Sequence, residues 1–263
     1  MTESHPVVSV GLLSCNQGVF VAEAIESAVN QKVRPMEIVI ADDASSDESP
    51  RIISRYAERY PHCIRTVFGK ERAGSAQNAN RALGLCRGDF IAFLAADDLF
   101  LPGKLAAQIE QFRSEPSITL AYHSVEVFDD HTGHVPALMD ADPTDTMTSA
   151  TDLLRKGGIR NGCSVAVRRS AIPKTGFDTT LNAMSDWLFQ IEVALAGRIG
   201  WLPQVLGRYR RHGSNMTNQF ASFAPEAERL FGIVQSRYPD RDDMKRAASE
   251  AAPGVALRTT RAY

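Results

Sequence analysis

Glu37-Ile38-Val39-Ile40-Ala41-Asp42-Asp43-Ala44-Ser45-Ser46-Asp47-Glu48-Ser49-Pro50 is the stretch that decides the fold. Its apolar opening is β-branched and brief, which suits a buried strand better than a helix. A turn of Asp and Ser follows. Ser49-Pro50 then reads as an N-cap with proline at the first helical position. Ile52, Ile53, Tyr56 and Ala57 share one face of that helix, which runs to about Tyr60, and Pro61 stops it. The pattern is one unit of strand, polar turn and amphipathic helix.

The same unit recurs on both sides. Upstream, Val7 to Leu13 is a strand, and Val21, Ala22, Ile25, Ala28 and Val29 fall at helical spacing. Downstream come a strand at Ile64 to Phe68, a helix at Ser75 to Leu85, a strand at Phe90 to Leu94 and a helix opened by Pro102. This alternation predicts an α/β fold, a Rossmann-like, mostly parallel sheet with helices on both faces. Ligands of open α/β sheets bind outside the carboxyl ends of the strands. The second half is less regular. Ile118 to Phe128 is a longer strand, and Asp129 to Thr148 reads as a mobile loop and a candidate acceptor lid. A short helix at Ser149 to Lys156, a strand at Val165 to Val167 and a helix at Trp187 to Leu195 follow. Gly200 to Tyr209 holds two strand pieces around Pro203, and the tail has helical stretches at Glu226 to Tyr238 and Asp243 to Ala251.

Composition narrows the function classes. The 263 residues are 44% apolar and 23% charged, which excludes disordered and fibrous chains. Lys plus Arg number 29 against 31 Asp plus Glu, so no nucleic-acid partner is expected. Cys15, Cys63, Cys86 and Cys163 form no C-x-x-C pair, which disfavours zinc-ribbon and thioredoxin sites and fits free thiols in a reducing compartment. Met1 to Pro6 lacks the pattern of a secretion signal, and no apolar run reaches membrane-span length. The expectation is a cytoplasmic protein, with room for peripheral contact at the inner face of the membrane and for a homodimer.

Two carboxylate pairs sit at strand ends, Asp42-Asp43 and Asp97-Asp98. Asp residues commonly cap helices and make turns, and Asp47 and Ser49 fit that role. Asp97-Asp98 fits it less well. The pair lies between apolar segments, where adjacent carboxylates repel and resist desolvation. A divalent cation such as Mg²⁺ or Mn²⁺ removes both penalties, and Mg²⁺ is usually held by one or two carboxylates plus substrate phosphates. A structural turn remains the other reading.

The order of blocks resembles family 2 glycosyltransferases of the GT-A fold. The resemblance covers about Val7 to Thr217. It is carried by Ser14-Cys15-Asn16 after the first strand, by Glu37 to Asp47, and by Gly74-Ser75-Ala76-Gln77-Asn78-Ala79-Asn80. It continues through Gly88 to Asp98, Arg168-Arg169-Ser170, Gly176-Phe177-Asp178, Ser185-Asp186-Trp187 and Arg208-Tyr209-Arg210-Arg211-His212. Two positions depart from the family pattern: Ala95, where its D-x-D begins with Asp, and Ala44, where glycine is common.

The resemblance implies an inverting, metal-dependent transfer of a sugar from a nucleotide-diphosphate donor, UDP-linked, to a hydroxyl of a sugar or lipid-linked acceptor in polysaccharide or glycolipid synthesis. By resemblance, Asp42 would accept from the base, and Ser14, Asn16 and Asn78 would line the nucleoside pocket. Asp97 and Asp98 would form the Mn²⁺ or Mg²⁺ site with His212, Asp97 towards the ribose and Asp98 favoured as the direct ligand. Arg210 and His212 would hold the diphosphate, and Asp186 would be the general base. On position alone Asp186 is equally the N-cap of the helix from Trp187, His212 a surface histidine, Asn78 and Asn80 exposed helix residues, and Trp187 a core residue. A GT-A domain over 1–217 is expected, with a nucleotide-sugar half to about 128, an acceptor half from 129, and a helical appendage over 218–263. Two alternatives stay open: a degenerate sugar-nucleotide-binding protein, kept alive by Ala95, and a nucleotidyltransferase, disfavoured because no Gly-rich phosphate loop with lysine follows the first strand. An NAD dehydrogenase is disfavoured by the lack of G-x-G-x-x-G there.

Overall fold

The computed structural model describes residues 7–215 and 224–259. Residues 1–6 and the expected boundary at 217/218 lie outside the described residues. The first half alternates as its periodicity predicts: β1 (Val8–Ser14), α1 (Val21–Val29), β2 (Glu37–Asp42), α2 (Ser49–Arg59), β3 (Ile64–Phe68), α3 (Ser75–Leu85) and β4 (Phe90–Ala95). These strands run parallel in the order β3-β2-β1-β4. Helix α2 starts one residue earlier than Ser49-Pro50 suggests. Its N-cap is Glu48, and Ser49 Oγ instead accepts the Gln17 N–H at 2.9 Å.

Side chains of β2 alternate between two cores, as the pleat requires. Ile38 and Ile40 pack with Ile25 of α1 and Ile53 of α2. Val39 and Ala41 face Ala76, Ala79 and Ala82 of α3. Each fully buried isoleucine contributes about 1.5–3 kcal/mol, so the strand is held from both faces.

Beyond β4 the pairing changes. The chain continues through β5 (Leu99–Phe100), α4 (Lys104–Ser114), β6 (Ile118–Asp129), β7 (Ala137–Met139), α5 (Ala150–Lys156), β8 (Ala166–Arg168), α6 (Ser185–Ala194) and β9 (Arg198–Arg211). Strand β8 lies antiparallel to β4 and β6, β7 to β6 and β5 to β9, while β9 runs parallel to β6. The parallel character expected of the sheet therefore belongs mainly to its first half. Pro203 does not split β9 into two pieces. The register jumps from His123↔Leu202 to Ser124↔Val205, and this bulge absorbs the residue that has no N–H for the ladder. The 129–148 segment, expected as a mobile loop, contains β7 and is tied at its end, where Met147 N–H donates to the Tyr122 hydroxyl at 2.8 Å.

Helices α7 (Ala224–Arg237) and α8 (Asp242–Thr259) close the chain. Leu230, Phe231, Val234, Met244 and Ala247 share one core with α5 and α6, where Phe231 meets Trp187 edge-on at 5.7 Å. Trp187 also donates to Leu153 O at 2.9 Å, so its ring belongs to the core and not to a sugar platform. Among the described residues no helix is long and apolar enough to cross a membrane.

Candidate functional site

A cleft of about 570 Å³ opens at the carboxyl ends of β1 and β4, and Ser14, Asn78, Asp97, Asp98 and Asp186 all line it. Residues far apart in sequence meet there because a parallel sheet gathers its strand ends on one edge.

Asn78, buried on α3, donates through Nδ2 to Ala41 O at 2.9 Å and to Ser14 O at 3.3 Å, which ties β1 to β2. The exposed-helix reading of Asn78 is thereby replaced. Asn80 is likewise engaged, donating to Phe177 O at 2.8 Å. Two buried oxygens at this wall, Ser14 Oγ and Asn78 Oδ1, have no hydrogen-bond partner among the described residues. Asp42 and Asn16 are placed differently, and neither is among the residues lining the cleft. Asp42 accepts Ser45 N–H at 2.8 Å and Ser45 O–H at 2.6 Å, and Asn16 Oδ1 accepts Ser46 N–H at 2.9 Å. Both residues shape the two turns. Ala44 between them has φ +51°, the left-handed region that favours glycine. Asp43, not singled out from the sequence, does line the cleft. It accepts the Ala73 and Gly74 N–H groups and pairs with Arg81 at 2.9 Å, which fixes the entry to α3. Its position beside Asp42 was the available signal.

The second acidic pair is divided by its surroundings. Asp97 Oδ2 lies 3.0 Å from His212 Nε2, so His212 is part of the site and not a surface histidine. Asp98 is 2% exposed and accepts the Arg210 backbone N–H at 3.0 Å. Burial, and then the Asp97 charge, push its carboxyl well above the ordinary carboxylate range. Arg210 does not reach into the cleft as a diphosphate ligand. Its guanidinium donates to Asp97 O at 2.8 Å, Asp130 at 2.5 Å and Glu23 at 2.6 Å, between the rings of Phe20 and Phe128. With its donors spent this way, Arg210 is the internal brace of the Asp97-Asp98 turn.

Behind Asp98 lies a buried polar group that the sequence did not reveal. Cys163, whose thiol faces Asn161 Oδ1 at 3.8 Å and Arg208 O at 4.0 Å, is held well above the usual thiol range by burial and the Asp98 charge. Lys104 is fully buried, with Nζ 4.0 Å from the Phe100 ring centroid and without a hydrogen-bond partner. Burial lowers it to about 7. His123 is pushed down to about 3 by burial and by Lys104.

Asp186 lies in the first turn of α6, which begins at Ser185 rather than at Trp187. Its Oδ1 accepts Trp187 N–H at 2.7 Å from inside the first turn, so it is not the N-cap expected of it, and its carboxylate lines the cleft. The side chain is open to the cleft yet surrounded by protein at the cleft floor. Access decides what can reach it, and the surrounding protein raises its carboxyl to about 6.

Residues 9–176, more than half of the chain, match the family described as glycosyl transferase family 2. An uncharacterized protein of Mycobacterium tuberculosis is 31% identical over 212 residues, 78% of this chain and 59% of its own length. TuaG of Bacillus subtilis, a glycosyltransferase named for teichuronic acid biosynthesis, is 30% identical over 154 residues, 59% of this chain and 57% of its own. The chain therefore spans less than two thirds of either relative. Among solved structures, S. aureus TarS 1–349 shares the fold at a TM-score of 0.73 and 16% identity, over 97% of this chain and 73% of that one. The mannosyltransferase PcManGT from Pyrobaculum calidifontis, solved with GDP-Man and Mn²⁺, does so at 0.70 and 20%, over 98% and 74%. The α/β architecture is thus the GT-A one, and the match over residues 9–176 shows that this chain belongs to glycosyl transferase family 2.

Proposed function

We propose that the protein transfers a sugar from a UDP-linked donor to a hydroxyl of a sugar or lipid-linked acceptor, with inversion at the anomeric carbon, in cell-surface polysaccharide or glycolipid synthesis. The observation that carries this is that Asp97 and Asp186 line one cleft at the strand ends. One is a carboxylate paired with an imidazole, and the other is a carboxylate whose affinity for protons is raised. The names of TuaG and of the TarS complex with UDP-GlcNAc support the substrate class.

A divalent cation, Mn²⁺ or Mg²⁺, fits the donor set. Asp97 Oδ2 and His212 Nε2 are adjacent, and among the described residues no group of three or more His, Cys, Asp or Glu side chains could hold a metal. That suits a cation completed by substrate phosphates rather than caged by protein. Asp97 and His212 would hold it; Asp98, expected as the direct ligand, lines the cleft too but has Oδ1 committed to Arg210 N–H and fixes the turn. When bound, such a cation supplies Lewis-acid stabilisation of the departing diphosphate. Ser14 and Asn78, which line the cleft, would face the nucleoside. Asp186 takes the proton of the acceptor hydroxyl as its oxygen attacks the anomeric carbon, a role that needs a carboxylate within hydrogen-bond reach. Ala95 leaves the ribose side one carboxylate poorer than the family pattern.

The test is a thermal-shift screen of UDP-, GDP- and dTDP-sugars with and without Mn²⁺. A donor at a hundredfold its Kd adds about 2.7 kcal/mol, a rise on the order of 5 °C for a chain of this size. The expected result is a rise with UDP-sugars that requires Mn²⁺. An equal rise without Mn²⁺ removes the metal assignment, a larger rise with a GDP-sugar removes the base assignment, and no rise with any sugar removes the donor reading.

A further inference from the structure

Helix α6, which carries Asp186, has no side-chain cap of its own, since its N-cap residue is Met184. The backbone N–H groups just before a helix have no intrahelical carbonyl to meet. Here they meet a carboxylate from the other end of the chain. Glu226, in the first turn of α7, accepts the N–H groups of Asn182 at 3.1 Å, Ala183 at 2.8 Å and Met184 at 3.1 Å. Such charge-assisted bonds are roughly twice as strong as neutral ones, and a negative charge at a helix N-terminus is favoured by the helix dipole.

The segment held this way is also a wall of the cleft, through Asn182 and Ala183. It is pinned on two further sides. Ser75 O–H at the start of α3 donates to Asn182 O at 2.7 Å, and Arg229, one turn beyond Glu226, donates to Thr180 O at 2.9 Å. Asp186 begins two residues past the last of the three amides, so any shift of this backbone moves its carboxylate.

We propose that Glu226 is a positioning residue for Asp186, fixing the 182–184 backbone from α7 and so aiming the carboxylate into the cleft. The helices after residue 223 are by this account part of the catalytic unit, although the family match ends at 176. The role deepens the reading of Asp186 as general base and rests on it.

The test uses the full chain with Glu226→Ala, Glu226→Gln and Asp186→Asn. It reads amide hydrogen exchange at 182–184, the carboxyl ¹³C titration of Asp186, and Mn²⁺-supported release of UDP from UDP-N-acetylglucosamine. In Glu226→Ala the three amides exchange at least ~10-fold faster, and Asp186 titrates closer to the ordinary aspartate range. The kcat falls ~10-fold while donor KM holds. Glu226→Gln, which keeps the size of the side chain and one oxygen, shows smaller shifts in the same direction, and it carries the test should the alanine variant fail to fold. Exchange and titration unchanged from wild type in either variant overturn the proposal. Full turnover in Asp186→Asn overturns the base reading instead, while exchange and titration still judge Glu226.

Discussion

Asp186 has one oxygen committed to Trp187 N–H and its carboxylate open to the cleft, and the protein around the cleft floor raises it to about 6. A base works only when deprotonated, so kcat/KM should rise as pH passes through about 6 and level off above it. Asp186→Asn should cut turnover at least ~10²-fold and abolish that acid limb. Stability carries the opposite sign. A carboxyl raised in the folded state favours folding below its unfolded value and loses that contribution as pH rises through the folded one. Asp186→Asn should therefore raise Tm at pH 7.5 and leave it unchanged at pH 4, and a melting curve at each pH checks this. The residue's presence at the site was legible in Ser185-Asp186-Trp187; the N-cap reading was not met, because α6 begins at Ser185 with Met184 as its N-cap. Arg210 was legible only as a charge. Whether a guanidinium faces phosphate or is spent on Asp97 O, Asp130 and Glu23 depends on which distant elements reach it, and no local pattern records that.

At the scale of elements, the βα units of the first half could be read because periodicity and turn chemistry agree there. Strand β7 and the bulge of β9 could not, because pairing to β6 outweighs the local preference of Pro136 and Pro203 for irregular chain. Helix α4 shows a third kind of miss. Lys104, which drew no reading from the sequence, sits one residue before Leu105 and is wholly buried against Phe100. Burial lowers it to about 7. The folded chain thus carries a penalty below that pH, which is relieved as pH climbs towards the unfolded lysine value of about 10.4. Lys104→Met should stabilise the fold at pH 6 by an amount on the order of 1–4 kcal/mol. The gain should shrink by pH 10. Denaturant unfolding at the two values decides it, and an equal gain at both rejects the buried-charge explanation.

For the whole molecule, the site is an assembly of distant parts. Asp97 is joined by His212, 115 residues on, and α6 is capped from α7. The sequence motifs mark each part, but only the sheet order says which of them touch. The β6–β9 pairing has a consequence in time. Strand β9 reaches its place parallel to β6 only after the chain between them has been ordered, and non-local parallel pairings are slow to form. By this reasoning the Asp97–His212 contact should be among the last to close. If UDP with Mn²⁺ is the pair the site takes, as proposed above, it should slow unfolding while leaving the refolding rate unchanged, because it would stabilise a contact absent from the transition state. Stopped-flow refolding with and without the pair tests this, and faster refolding would place β9 in the nucleus. The closure of one strand would thus act as a timer: if β9 docks last, a nascent chain holds its acidic turn before His212 arrives beside it, and the proposed activity would begin only when folding is complete.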